Sequence, residues 1–229
     1  MDIVMKGKGK NAIGTEMMDF LLTSLQKANG TPILLTGDGD AFSAGLNLKE
    51  VASLEQTSME AFLSKFDLLA ETLYTYPGPT VACVNGHAIA GGCVLNLCCD
   101  YRVAVDDTRV RIGLNEMAIG AVFPPRTLKI VRARLPARHV NAVILGADLY
   151  SPEDALRIGI VDEISSDALA LSRHRLERLA AHPAAAYTAT KRALTTLAPD
   201  PDLASQLRSI AIHWSGPEVK ARLAVVLKK

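Results

Sequence analysis

The sequence predicts an α/β fold that closes in helices alone. Three observations carry this. Short apolar, β-like runs occupy the first half of the chain, helical patterns fill the gaps between them, and only helical patterns follow "IVDEI". The 229 residues supply one sizeable core. At 49% hydrophobic and 21% charged, the composition is that of an ordinary globular protein. A formal net charge of +1 gives no whole-protein electrostatic case for nucleic acid.

The elements follow in order. "MDIVMKGKGKNAIG" mixes charge with short apolar pieces and lacks the apolar core of a signal peptide. Ile33 to Thr36 is a β-like run that ends in a Gly/Asp turn. A helical pattern follows Asn47, in which Phe62, Phe66, Leu69 and Leu73 share one face, and Pro77 and Pro79 end it. "TVACVNG" reads as a buried strand, and "GGCVLNLCCD" as an apolar helix opened by two glycines. "YRVAV" and "VRIG" are further strands. From Pro125 come "RTLKIVRARL", "ARHVNAVILG" and "SPEDALRIG", all helical, the last with Ser151 as N-cap and Asp154 at the capping-box position. Two or three helices close the chain, broken at Pro183, "APDPD" and "SGPE". The longest apolar stretch, Val81 to Cys99, is too polar and Gly-rich for a membrane span. Its four cysteines, Cys83, Cys93, Cys98 and Cys99, read as reduced core residues of a cytoplasmic protein.

Several motifs invite chemistry and fail its spacing. "GKGKNAIG" lacks the Lys-[Ser/Thr] ending of a phosphate loop, and "GDGD" lacks the closing Glu of a calcium loop. No histidine has a metal-ligand partner, so no metal site is expected, and His87 reads as a residue that shapes its loop. The basic run Arg126, Lys129, Arg132, Arg134 and Arg138 reads as a solvated face, as does the cluster Lys220, Arg222, Lys228 and Lys229.

Two glycine turns remain, "FSAG" and "AGGC", each before a helix. Free N–H groups at a helix N-terminus favour an anion, and two of them converging on one oxygen would form an oxyanion hole. A third element is "RIGLNEMAIG". Glu116 sits there among Ile112, Leu114, Met117 and Ile119, where desolvation would raise its pKa toward neutrality. The plainer reading is a Glu that caps a turn or pairs with an arginine such as Arg111.

Together "AFSAGLNLKEV", "VACVNGHAIAGGCVLNLCCDYRVA" and "GADLYSPEDALRIGIVDEI" resemble the crotonase (enoyl-CoA hydratase/isomerase) family. The resemblance runs from about Asn11 to the C-terminus. It implies a spiral of ββα turns over residues 1–165, holding the active site, and a helical trimerisation region over 166–229, with trimers or hexamers as the assembly. It assigns the oxyanion donors to Leu46 and Gly91, the base to Glu116, and substrate contacts to Ala44, Gly45, Asn47, Leu48 and Asn115. Coenzyme A enters as part of the substrate, with an acyl carrier protein as the other candidate carrier, and no prosthetic group, nucleic acid or membrane partner is expected.

Three departures from the family's pattern shape what is expected of this chain. The family's hydratases carry a Glu where this chain has Val94, which leaves Glu116 as the one carboxylate. A single base matches the mitochondrial-type Δ3,Δ2-enoyl-CoA isomerases, so the expected activity moves a double bond between the 3,4 and 2,3 positions. A hydratase or another crotonase-type reaction, in which a residue outside these motifs replaces the missing Glu, and a silent assembly or binding subunit are the competing readings. Asn47 stands where the family often has Asp, which is expected to change how the first turn is pinned. The family's N-terminal hairpin is reduced to "DIVMKG" at most, so a shorter edge is expected on the first sheet.

Overall fold

The chain packs into two parallel sheets because its strands are nearly continuous apolar runs. The computed structural model describes residues 1–228. The larger sheet has strand order β1-β2-β4-β6-β8, with β1 Asp2–Met5, β2 Ile33–Gly37, β4 Thr80–Val84, β6 Tyr101–Val105 and β8 Glu163–Ser165. The smaller has order β3-β5-β7, with β3 Ala41–Ser43, β5 His87–Ile89 and β7 Ile112–Gly113. Every pairing is parallel. All five residues of β4 are buried. A strand covered on both faces needs no polar alternation, which is why "TVACV" reads as an unbroken apolar run.

The chain visits one sheet, then the other, then a helical segment, and repeats. After β2 and β3 come α3 (Leu48–Ser53) and α4 (Gln56–Tyr74); after β4 and β5 comes α5 (Gly91–Cys98); after β6 and β7 come α6 (Pro125–Arg134), α7 (Val140–Gly146) and α8 (Pro152–Ile158). This is the ββα spiral. Asn85 ties its corner: the side chain accepts the Gly37 N–H at 3.0 Å and donates to the carbonyls of Gly37 at 3.0 Å and Gly39 at 2.9 Å. The "GDGD" stretch is thus a knitted turn.

Alternate residues of β2 feed two cores. Ile33 and Leu35 join the main core with Leu21 and Leu25 of α2 (Thr15–Ala28) and Leu69 of α4. Leu34 faces Cys83, Val103 and Ala168, the last on α9 (Ala168–Ala180). The helix α2 is missing from the sequence reading, although its buried Met17, Met18, Leu21, Leu25 and Ala28 fall at helical spacing. A single turn, α1 (Lys8–Asn11), precedes it.

Among the described residues four helices follow β8 rather than two or three: α9, α10 (Ala184–Thr195), α11 (Leu203–Trp214) and α12 (Pro217–Val226). Pro217 both breaks the chain and opens α12, since a missing N–H costs nothing in a first turn, and Pro183 is the N-cap of α10. Other corrections are local. The "VRIG" strand is only Ile112–Gly113, and α7 begins at Val140 because residues 137–139 form a turn. The box at Ser151 is half formed. Its Oγ accepts the Asp154 N–H at 3.1 Å, but the Asp154 carboxylate bonds the Ser151 hydroxyl and Arg157 instead of the Ser151 N–H.

Most of the basic run is absorbed structurally. Arg126 pairs with Glu71, Lys129 with Asp200, and Arg134 donates to the carbonyls of Leu97 and Asp100. Lys220 and Arg222 pair with Glu55 and Glu218, and Lys229 lies outside the described residues. The buried Lys191 ammonium ties α10 to the core through Asp100 at 2.7 Å and the Gly78 carbonyl at 2.9 Å. All four cysteines are buried and unbridged, and burial pushes their thiols up, which makes them inert. Among the described residues no helix is long and apolar enough to cross a membrane.

Candidate active site

The first turn is held on one edge only. The Gly45 carbonyl accepts the Ile13 N–H at 2.8 Å, and the Asn47 N–H donates to the Ile13 carbonyl at 2.9 Å. Backbone groups alternate sides along an extended segment, so the Leu46 N–H between them faces away from Ile13. Among the described residues it has no acceptor. Gly45 sits at φ +89, a left-handed conformation that glycine adopts without penalty. The Ser43 hydroxyl accepts the Gly45 N–H at 3.2 Å and donates to the Asn11 carbonyl at 2.8 Å, which anchors the bend from behind.

The second turn arrives through strain. Ala90 has φ 48 and ψ −119, a sparsely populated conformation for a residue with a Cβ that typically costs about 1–3 kcal/mol. Its N–H bonds the Gly113 carbonyl at 2.8 Å, and its own carbonyl accepts the Val94 N–H at 2.9 Å. The sharp bend aims the N-terminus of α5, and with it the orphan N–H of Gly91, at the first turn. The two turns touch. A Cβ placed on Gly45 would lie 2.7 Å from the Ile89 carbonyl oxygen and 3.3 Å from the Gly91 nitrogen.

Glu116 opens a 3-10 turn, Glu116–Ile119, just after β7. Its residue is 7% exposed, and its Oε2 has no hydrogen-bond partner. Burial pushes its carboxyl up to about 8, only weakly opposed by a bond from its own backbone. Arg111 does not compensate it, because its guanidinium is spent on the carbonyls of Thr108 and Val110. A buried carboxyl that titrates near neutrality, with a free oxygen, suits a general base. His87 is occupied elsewhere: its Nδ1 accepts the Arg111 N–H at 3.0 Å.

A cavity of about 250 Å³ joins these parts, with Ala44, Leu46, Leu48, Gly91, Asn115 and Glu116 on its wall. Gly45 and Asn47 stand off that wall. Gly45 sets the bend. Asn47 N-caps α3, its Oδ1 accepting the Glu50 N–H at 3.4 Å, so a neutral amide pins the loop where a carboxylate was the expected residue. Glu50 in turn bonds the Thr15 N–H and hydroxyl at the start of α2. Val94 is fully buried and is also off the wall.

The rest of the wall was not legible from the motifs. Phe66 of α4, Phe123, Trp214 of α11 and Val226 of α12 line it. The indole Nε1 of Trp214 donates to the Val122 carbonyl at 2.8 Å, and His213 Nε2 lies 2.8 Å from the Gly120 carbonyl. The last two helices thus clasp the segment that follows Glu116. One signal was available, since Trp214 is the only tryptophan in the chain.

The same constellation defines a known class. A sequence model of the enoyl-CoA hydratase/isomerase family matches residues 2–211, and the chain belongs to that family. It is 33% identical to the mitochondrial enoyl-CoA delta isomerase 1 of Mus musculus, over 67% of this chain and 55% of that protein, so the match spans little more than half of the relative's length. It is 32% identical to a putative enoyl-CoA hydratase of Thermus thermophilus, over 82% of this chain and 77% of the relative. The crystal structure of human mitochondrial delta3-delta2-enoyl-CoA isomerase superposes with a TM-score of 0.89 at 25% identity, covering 99% of this chain and 93% of that one.

Proposed function

We propose that this enzyme isomerises 3-enoyl thioesters to conjugated 2-enoyl thioesters, with coenzyme A as the carrier. The observation that carries this is the cavity wall: among the described residues Glu116 is its only carboxylate, and it shares the cavity with two backbone segments whose N–H groups are free. The thioester oxygen accepts from Leu46 and Gly91. The C2–H bond breaks, the proton passes to Glu116, and the electron pair enters a dienolate whose negative oxygen the two donors stabilise. The dienolate also carries charge on C4. Glu116 returns the proton there, the 3,4 pair moves to 2,3, and the thioester carbonyl is restored. One carboxylate serves both steps, and no group is consumed. Asn115 lines the cavity, and its side-chain amide has no hydrogen-bond partner among the described residues, so it is free to orient the substrate.

Hydration is the second reading, favoured by the hydratase name of the Thermus relative. It calls for a second acid–base group to deliver water, and the Val94 position offers none. The two readings separate in one assay. A 3-enoyl-CoA should gain the absorbance of conjugation at constant mass, and a 2-enoyl-CoA should gain no water. Strong water addition by the wild type would reject the isomerase reading. Val94→Glu is expected to lower the melting temperature, because a carboxylate is forced into a fully buried site, and to add slow hydration. Unchanged stability would show that the site is wetter than its burial implies.

The proposed assembly is a homotrimer, or a hexamer of paired trimers. Leu145, Ile212 and Val225, exposed by 67%, 55% and 59%, supply apolar surface for it. Sedimentation equilibrium should return three or six times the 24.5 kDa chain mass.

A further inference from the structure

The C-terminal helices supply part of the cavity wall, Trp214 from α11 and Val226 from α12. Trp214 is 2% exposed, and its indole is locked by the bond to Val122. It is a rigid floor rather than a side chain that can swing away. Val226, near the end of α12, stands on the same wall. Phe66 and Phe123 are the other aromatic side chains on it.

Resting on the isomerase reading for its reacting atoms, we propose that Trp214 and Val226 limit the length of the acyl chain that the cavity takes. Longer chains have to displace the indole from its bond to Val122 or push α12 outward. The segment that would move with the indole is the one that follows Glu116, so a long chain disturbs the base as well as the floor. One methylene too many in an apolar pocket typically changes kcat/KM by about 10–200-fold.

The test is a chain-length series of 3-enoyl-CoA esters, C6, C8, C10 and C12, run on wild type, Trp214→Leu and Val226→Ala. Wild type should lose at least 10-fold in kcat/KM along the series from C6 to C12. Trp214→Leu should raise the C10-to-C6 ratio by at least 10-fold, and Val226→Ala should raise it by a smaller factor. Val226 is 40% exposed, so its truncation leaves the core intact and keeps the test valid if Trp214→Leu fails to fold. Wild-type turnover of C10 and C12 equal to C6, or ratios unmoved in both variants, would overturn the proposal. Should the wild type hydrate 2-enoyl esters instead of isomerising, the function proposed above fails. The same length ratios, read on hydration, still decide the pocket limit.

Discussion

Glu116→Gln should abolish isomerase turnover and, in the same protein, raise stability near neutral pH. General acid–base groups are typically worth about 10²–10⁴-fold, and a base that serves both proton transfers should lie at or above the upper end. The amide keeps the shape and cannot take the proton. Retention of more than about a tenth of wild-type kcat, far outside that range, would sink the one-base scheme. Wild-type kcat/KM should rise with pH through about 8, because the working form is the carboxylate and burial holds its pKa there.

Stability should run the other way. The unfolded chain releases this proton near pH 4.3, roughly the ordinary value for Glu, whereas the folded chain holds it until about 8. Between these values the unfolded state binds fewer protons, so stability falls as pH rises. Glutamine escapes that loss. The melting temperature of Glu116→Gln should match wild type at pH 4 and exceed it increasingly up to pH 8. A gap that is constant with pH would mean that Glu116 titrates normally and is solvated.

The second large effect is expected from Gly45→Ala. Its Cβ would meet the Ile89 carbonyl oxygen at 2.7 Å, inside contact distance, and would stand 3.3 Å from the Gly91 nitrogen. The two turns must separate, and with them the donors at Leu46 and Gly91. Loss of one oxyanion donor typically costs about 10²–10³-fold in kcat, and this change disturbs both. The left-handed φ also strains an alanine, so a control is needed. Gly39 has φ +74 with nothing within 4 Å of its built Cβ. Gly39→Ala therefore carries the backbone strain without the collision and should keep kcat. Equal kcat losses in the two variants would show that strain acts rather than donor geometry.

Much of this site was legible because its parts are local. Each glycine turn before a helix, and the Glu in its apolar frame, is recognisable within a few residues of sequence, and the structure brings these distant segments to one cavity. The ββα spiral was legible for a related reason: fully buried parallel strands read as apolar runs such as "TVACV". What escaped was set over long range. That Trp214 would reach Val122 depends on helix packing that no local pattern encodes, whereas the Asn47 cap, which bonds only three residues along, was a local signal left unread. The strain at Ala90 escaped for another reason, since an alanine gives no sign of positive φ in the sequence. The missed α2 is different again. Its buried positions repeat at helical spacing, and its apolar pattern was available.

The most direct measurement is a single turnover of a 3-enoyl-CoA carrying deuterium at both C2 positions, in ordinary water. Glu116 is 7% exposed, so a proton it takes is shielded from exchange before it is returned. The account predicts a conjugated 2-enoyl-CoA of unchanged carbon and oxygen content, with a substantial share of the removed deuterium now at C4, and no such transfer in Glu116→Gln. A C4 hydrogen drawn wholly from solvent in the first turnover, or a product heavier by one water, would contradict it.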